Sequence, residues 1–179
     1  PGVPLKNTGV AWIDSIPAHW EVRPLKRAVD FMEGPGIMAS DFAADGVPLL
    51  RISSIGERIA TLKGCNYLSP FDVNRRWSHF RVRSGDLLIS GSASKGLCSE
   101  VDEATEGSVP YTGIIVARGR DRIVEREFVR WFFLSAAFNT QVDLARSGSA
   151  IQHFGPTHLA QMFAILPPLA EQQMIAAYL

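Results

Sequence analysis

The stretch Gly85-Asp86-Leu87-Leu88-Ile89-Ser90 decides the fold class, because it joins a turn directly to an unbroken apolar run. The pair Ser84-Gly85 favours a tight turn, and the three apolar residues that follow are typical of a buried strand. Residues 79–82, just before the turn, are predicted to form a partner strand. We therefore expect a hairpin here, with further short strands around it.

The strand pattern continues outward from this hairpin on both sides. Short strands are predicted over residues 47–53, 58–62, 114–117 and 162–166. Residues 3–20 contain several Pro and Gly and predict an irregular arm. Short strands at close spacing, together with separate helices, indicate an α+β fold built on a curved, mostly antiparallel sheet.

Helical periodicity is strongest over residues 125–145, where apolar residues recur at the spacing of one helix face. Residues 24–32 predict a short helix that Gly34-Pro35-Gly36 ends. Ser69-Pro70 predicts a helical turn through residue 74, and residues 157–161 predict another single turn. A last helix begins at residue 170, after Pro167-Pro168, and we expect it to be the start of a long C-terminal coiled-coil helix.

Composition excludes several classes of protein. A hydrophobic fraction of 46% with a charged fraction of 20% is that of a globular chain, not a disordered one. No apolar run approaches the ~20 residues of a membrane helix, so we expect a cytoplasmic protein. The net charge of zero argues against a bulk nucleic-acid binder but not against a basic face balanced by an acidic one. Cys65 and Cys98 are too few for a disulfide framework, and we expect both to be reduced.

Four short motifs, in order along nearly the whole chain, resemble one family. They are Ile16-Pro17-Ala18-His19-Trp20, Gly85–Ser90, Ser147-Gly148-Ser149-Ala150-Ile151-Gln152, and Leu166-Pro167-Pro168-Leu169-Ala170-Glu171-Gln172-Gln173-Met174-Ile175. Together they are similar to the I-P-x-H-W opening, the G-D-L-L strand, the loop after the long helix and the L-P-P-x-x-E-Q junction of type I restriction–modification specificity subunits. Each motif alone is a weak signal, whereas four in this order are a strong one.

The resemblance implies a non-catalytic, sequence-specific DNA-binding protein of a bacterial restriction system. Such subunits carry two target-recognition domains separated by helices that form a coiled coil, and each domain reads one half of a split duplex-DNA target. The helices hold methyltransferase (M) subunits, and a translocase–nuclease (R) subunit joins the complex. S-adenosylmethionine, ATP and Mg²⁺ are expected on those partner subunits, with no cofactor or metal in this chain. Residues 1–168 would then be one recognition domain with its arm, and residues 169–179 the start of the helical spacer.

Three polar loops are the candidates for contact with base edges, since arginine can bridge two acceptors of guanine and glutamine can bind adenine in the same bidentate way. The candidate residues are Arg51, Ser53, Ser54, Ser92, Ser94, Lys95, Arg146, Ser147, Ser149, Gln152 and His153. The alternative for each is an ordinary solvated loop. The last helix presents an apolar stripe that predicts a partner helix or a homodimer, formed by Met174, Ile175, Tyr178 and Leu179.

Basic clusters offer a second kind of DNA contact. Arg75, Arg76, Arg81, Arg83, Arg118, Arg120 and Arg122 are candidates for tracking phosphates, and their alternative is a solvated face paired with nearby acids. Trp77, next to Arg76, is either a stacking platform for a base or a core aromatic, of which we expect the latter.

The sequence leaves two other functions open. Ser108-Val109-Pro110-Tyr111 is a near match to the S-P-P-Y motif of adenine methyltransferases, which leaves a stand-alone adenine methyltransferase fragment as an alternative. A protein-interaction scaffold that never touches DNA is the third possibility. Glu100, Asp102, Glu103 and Glu106 predict an acidic surface turn rather than a Mg²⁺ site, and the four histidines show no paired metal spacing.

Overall fold

The computed structural model of the chain describes residues 2–10, 12–91, 97–147 and 154–179, and their side chains except those of residues 146 and 147. The strands are β1 (Leu5–Val10), β2 (Ile13–Pro17), β3 (Glu21–Pro24), β4 (Val29–Glu33), β5 (Phe42–Ala43), β6 (Val47–Leu50), β7 (Asn66–Leu68), β8 (Leu87–Ser90), β9 (Cys98–Glu100), β10 (Val109–Pro110), β11 (Ile114–Gly119) and β12 (Phe163–Leu166). The helices are α1 (Pro70–Asp72), α2 (Arg126–Leu134), α3 (Ala136–Ser147), α4 (Pro156–Leu159) and α5 (Leu169–Tyr178).

The chain divides into two compact units. The central unit is Phe31–Arg118, and the terminal unit combines Pro1–Asp30 with Gly119–Leu179. Residues 169–179, expected to begin a spacer, therefore fall within the terminal unit, where α5 packs against α2. No described helix is both long enough and apolar enough to cross a membrane.

The central unit is built from short strands, as the sequence predicts. One sheet has the order β10-β6-β7-β5, in which β10 and β6 are parallel and the other neighbours are antiparallel. In the other sheet, of order β4-β11-β8-β9, β8 is antiparallel to both of its neighbours. The Leu87–Ser90 strand is buried along its whole length, which explains why its apolar run is unbroken.

Two apolar clusters fill the central unit. One contains Leu50, Ile55, Ala60, Val82, Leu88, Val101, Ile114 and Val116, and the other contains Ile37, Val47, Leu49, Leu68, Val73, Trp77 and Val109. Trp77 is thus a core aromatic, as expected. Asp86 is also buried, and its carboxylate is satisfied by three hydrogen bonds. It accepts one from the Arg83 N–H at 2.9 Å and two from Nε and Nη2 of Arg118, at 2.7 and 2.6 Å.

The terminal unit combines two antiparallel strand pairs with helices. Strand β1 pairs with β2, and β3 pairs with β12. Phe138 on α3 lies edge-on to Phe132 and Phe133 of α2, with ring centroids 5.7 and 5.0 Å apart. Buried Gln141 of α3 bonds both backbone polar groups of Phe163, at 2.8 and 3.0 Å, and so satisfies the backbone where β12 begins.

The α+β class with short, mostly antiparallel strands is confirmed, but the strands form several small sheets rather than one curved sheet. The predicted irregular arm is wrong, because β1 and β2 pair within it. The predicted helix over residues 24–32 is also wrong. Residues Leu25–Arg27 form a single turn, and β4 follows it directly. Pairing of β4 within a sheet therefore overrides the helical spacing of the apolar residues.

Three further differences have local causes. The predicted helix over 125–145 is broken at Ser135, whose hydroxyl donates to the Phe132 carbonyl at 2.7 Å and accepts from the Phe138 N–H at 3.3 Å. Residues 79–82 form no strand, because the turn begun at Ser69-Pro70 continues through Val73–Trp77 and Ser78–Phe80. Residues 58–62 contribute only an isolated bridge between Ile59 and Glu100.

Candidate nucleic-acid interface

Arg51 and Tyr111 meet at the carboxyl ends of two neighbouring parallel strands of the central unit. Leu50, the last residue of β6, is in register with Pro110, the last residue of β10, so the residues that follow them leave the sheet side by side. The Tyr111 N–H donates to the Leu50 carbonyl at 3.0 Å. The Arg51 guanidinium lies 4.0 Å from the centroid of the Tyr111 ring. This geometry is a cation–π stack, and it holds the guanidinium in place while leaving its N–H edge able to donate.

The turn after Arg51 is closed by serine hydroxyls. The Ser54 hydroxyl accepts from the Arg51 N–H at 3.1 Å and donates to the Lys63 carbonyl at 3.2 Å, and Ser54 is fully buried. Ser53 is exposed, and its hydroxyl donates to the same carbonyl at 3.0 Å. Ser54 therefore has no surface to offer a base and acts by shaping the turn, whereas Arg51 and Ser53 remain open to a ligand.

A close backbone approach fixes the other side of the stack. A Cβ at Gly34 would lie 2.2 Å from the Pro110 carbonyl oxygen and 2.4 Å from that of Tyr111, so only glycine fits there. The Glu33 carboxylate accepts from the Gly113 N–H at 3.1 Å. The segment that carries Tyr111 is consequently anchored on both sides of the aromatic ring.

Two more guanidinium–aromatic pairs lie on the helical turn of the central unit. Arg75 lies 5.6 Å from the ring centroid of Phe71, which is 71% exposed, and Arg76 lies 4.1 Å from that of Trp77. Both guanidiniums also contact a carboxylate, Arg75 with Asp72 at 3.5 Å and Arg76 with Asp41 at 2.9 Å. Val73–Trp77 is a π-helical turn, a rare form that occurs often at functional sites.

Tyr111 and Trp77 connect two of these stacks, because both rings belong to the same apolar cluster of the central unit. Arg–aromatic pairs of this kind occur about once per 70–80 residues. The central unit, Phe31–Arg118, has three such pairs among its described residues. This enrichment gives the unit guanidiniums held on ring faces, which are able to donate to the phosphates and base edges of DNA.

Several of the predicted basic residues pair with carboxylates or carbonyls of the fold. Arg118 pairs with Asp86, and Arg120 pairs with Asp30 at 2.6 Å. Arg81 donates to the Gly107 carbonyl at 2.7 Å and to the Asn74 side chain at 3.2 Å. These three arginines support turns and strand ends, and because the Arg118 and Arg120 side chains are 40% and 42% exposed, they stay candidates for phosphate contact beside Arg75 and Arg76.

The other two predicted loops lie largely outside the described residues. Ser92, Ser94, Lys95, Ser149, Gln152 and His153 fall there entirely, and Arg146 and Ser147 end α3 with side chains that are not described. Of the residues expected to contact a partner, Ile175 is partly buried, and the exposed fractions of Met174, Tyr178 and Leu179 are 64%, 91% and 61%. Sequence reasoning missed Tyr111 and Phe71, because only the pairing of β6 with β10 and the helical turn place them against arginines.

The described side chains hold no group of three or more His, Cys, Asp or Glu able to bind a metal ion. In the segment Ser108-Val109-Pro110-Tyr111, which nearly matches a methyltransferase motif, Ser108 is buried and the Tyr111 ring stacks on Arg51. The two cysteines, Cys65 and Cys98, are free thiols.

Comparison with known proteins gives one curated relative at significant similarity, while no family model matches the chain. This relative is the type I restriction enzyme MjaVIII specificity subunit of Methanocaldococcus jannaschii. It is 24% identical over 171 residues, which covers 92% of this chain and 39% of the relative. The chain thus spans about two fifths of the length of that protein.

Solved structures give the same result for the fold. A chain from a type I R-M system, from work on its complex assembly and conformational transition, has a TM-score of 0.70 at 22% identity and matches 97% of this chain and 40% of its own length. The HsdS subunit from Thermoanaerobacter tengcongensis has a TM-score of 0.68 at 23% identity, over 97% of this chain and 39% of its own. An S subunit of a type I system from M. genitalium has a TM-score of 0.57 at 10% identity, over 90% of this chain and 38% of its own. The resemblance of the motifs to type I restriction–modification specificity subunits is thereby confirmed, and the chain has the fold of about two fifths of such a subunit.

Proposed function

We propose that this chain recognises one half of a split duplex-DNA target for a type I restriction–modification complex and has no catalytic group of its own. The observation that carries the proposal is the Arg51–Tyr111 stack, which presents a preorganised guanidinium from the ends of two rigid strands. A guanidinium held in this way can bind the O6 and N7 acceptors of guanine in the major groove.

Phosphate contacts would come from the neighbouring helical turn. Arg75 and Arg76 are already paired with carboxylates, so a phosphate would bind the two arginines alongside those carboxylates or displace them. Such contacts position a protein on DNA without reading sequence. The loops at residues 92–96 and 146–153 remain proposed base readers, and Ser53 remains one beside Arg51.

The assembly around this chain is part of the same proposal. Helix α5 would continue toward M subunits that transfer the methyl group, and the R subunit would join through the complex. S-adenosylmethionine, ATP and Mg²⁺ would be bound by those subunits. The exposed Met174, Tyr178 and Leu179 of the α5 end would contact a partner helix or a second copy of this chain.

A selection from randomised duplex DNA, followed by a salt titration, tests the proposal. We expect enrichment of a short preferred sequence, weak affinity for a single domain, and binding that falls steeply as salt rises. A protein-interaction scaffold would show no DNA binding at any salt concentration. A stand-alone methyltransferase fragment would bind S-adenosylmethionine in calorimetry, and we expect no heat of binding from this chain.

A further inference from the structure

Two of the motifs that carry the family resemblance meet at the base of α5. The His19 ring Nε2 lies 2.7 Å from Glu171 Oε1, and the Trp20 indole N–H donates to Glu171 Oε2 at 2.9 Å. The strand pair brings these residues together, because Glu21 at the start of β3 is in register with Leu166 at the end of β12. The residues just before β3 therefore face those just after β12.

Gln172, the residue after Glu171, bonds α5 to other segments of the terminal unit. Gln172 is 1% exposed, and its amide group uses both N–H donors, bonding the carbonyls of Pro167 at 2.9 Å and Ile123 at 3.1 Å. Its carbonyl oxygen accepts from the Glu125 N–H at 2.9 Å. Glu125 in turn caps α2, accepting from the Phe128 N–H at 2.7 Å.

These contacts fix both the position and the rotation of α5. Adjacent residues of a helix point about 100° apart, so Glu171 and Gln172 tie its first turn to two different segments of the terminal unit. At the far end of α5, Tyr178 is 91% exposed. We call the group of His19, Trp20, Glu171 and Gln172 the α5 clamp.

We infer that the α5 clamp sets the direction in which this helix leaves the terminal unit, and thereby the spacing between the two halves of the DNA target that the complex accepts. The inference rests on the proposed function for its second part only. Helix α5 has ten residues here; if it continues as a spacer helix of ~20 residues, ~30 Å long, a tilt of ~10° at its base displaces the far end by ~5 Å. That displacement exceeds the ~3.4 Å between successive base pairs, so a loosened clamp changes the accepted spacing.

The direction of α5 is tested on this chain with two spin labels, at Tyr178→Cys and at the exposed Thr140→Cys of α3, in a background with both native cysteines replaced. We expect a narrow distance distribution in the parent protein and in the control Gln173→Ala, whose side chain is exposed. Gln172→Ala should broaden or shift the distribution. Glu171→Ala should do the same without leaving three backbone groups unpaired, which covers the case in which Gln172→Ala does not fold.

The effect on spacing is tested in cells that express the complete system, by mapping methylated sites in the genome. We expect clamp variants to methylate targets with spacers one base pair shorter or longer, with the half-target sequence unchanged, while Gln173→Ala keeps the parent spacing. If no methylated target depends on this chain, the proposed function fails, and the spin-label distances still decide whether the clamp directs α5. Unchanged distances in folded Glu171→Ala, or unchanged spacing in a variant whose helix has moved, overturns the inference.

Discussion

At the scale of single residues, the candidate interface depends on how one arginine is held before DNA binds. The Tyr111 ring lies against the Arg51 guanidinium, and the turn that follows uses the buried Ser54 to hold the arginine backbone. A side chain already restrained loses less conformational entropy on binding than a free one. We therefore expect base readout by Arg51 to require the tyrosine ring but not its hydroxyl.

We predict that Arg51→Ala removes the preference for guanine at one position of the target. The loss should be about 1–3 kcal/mol in discrimination between guanine and other bases, measured by competition binding with duplexes that differ at that base pair. Arg51→Lys should also lose most of it, since an ammonium lacks the planar fork. The exposed Arg83→Ala serves as the control and should keep the preference; an unchanged preference in Arg51→Ala would contradict the assignment.

Substitution of Tyr111 tests the restraint separately. Tyr111→Phe keeps the ring face and should retain the guanine preference, whereas Tyr111→Ala should weaken it toward that of Arg51→Ala. The same competition assay measures both variants. An unchanged guanine preference in Tyr111→Ala would mean that the stack has no part in recognition.

Glu171 gives a prediction on pH. The hydrogen bond from Trp20, together with His19, holds the pKa of this carboxyl below its ordinary value, although partial burial acts in the opposite direction. A lowered pKa in the folded state means that the ionised group stabilises the fold above its unfolded pKa of ~4.3. That stabilisation is lost as the pH falls through the lowered folded value.

The melting temperatures of the parent protein and Glu171→Gln, measured from pH 7 down to pH 3, check this prediction. At neutral pH the parent should have a higher melting temperature than Glu171→Gln, and the gap between the two temperatures should close as the solution becomes acidic. Other carboxylates titrate in both proteins and cancel in the difference. A gap that stays constant over the whole range would show that ionisation of Glu171 contributes nothing.

At the scale of elements, chain segments follow their tertiary partners rather than their local pattern. Residues 125–145 form two helices because the Ser135 hydroxyl ends α2 and begins α3. The end of β4 comes so close to β10 that a side chain at Gly34 would strike the Pro110 carbonyl. The geometry of the Arg51–Tyr111 stack therefore depends on a contact between two short strand ends.

Gly34→Ala should destabilise the protein by about 1–3 kcal/mol, as overpacking of a tight contact does. The neighbouring Gly36→Ala is the control, because a Cβ there meets nothing within 4 Å. Denaturant unfolding of the two variants measures the difference. Equal stability would show that the β4–β10 contact relaxes without cost, contrary to our expectation.

At the scale of the whole molecule, a chain of zero net charge can bind DNA only through local concentration of cations. Arg75 and Arg76 are adjacent on one turn, and they would supply such a concentration once a phosphate displaces Asp72 and Asp41 from them. Affinity from this source is independent of sequence and sensitive to salt.

The double variant Arg75→Ala/Arg76→Ala should weaken binding equally for preferred and unrelated duplexes. The slope of log affinity against log salt should fall in magnitude by about one for each phosphate that the protein no longer neutralises. Lys6→Ala/Lys26→Ala removes the same charge from exposed positions of the terminal unit and is the matched control. A slope reduced as much by the control pair would show a general charge effect instead of a direct phosphate contact.

The exposed end of α5 leads to a prediction on assembly. Light scattering at rising concentration should detect a dimer of this chain, and Met174→Asp/Tyr178→Asp should abolish it by charging the apolar surface. A protein that stays monomeric at high concentration would remove the homodimer and leave the partner helix as the occupant of this surface.

The sequence by itself determined the class of fold, the buried strand at Leu87–Ser90, the turn at Ser69-Pro70, the final helix and the resemblance to specificity subunits. These features are local, because apolar runs, caps and turn residues act within a few positions. It also predicted Arg51 as a candidate, from its place after a strand.

Only the tertiary structure decided which side chains meet. Tyr111 lies against Arg51, and His19 and Trp20 lie against Glu171, because pairs of strands distant in the sequence align in register. It likewise placed Ser54 inside the fold and paired Arg118 with the buried Asp86. Strand register depends on burial of the whole sheet and on partners remote along the chain, so no local pattern contains it.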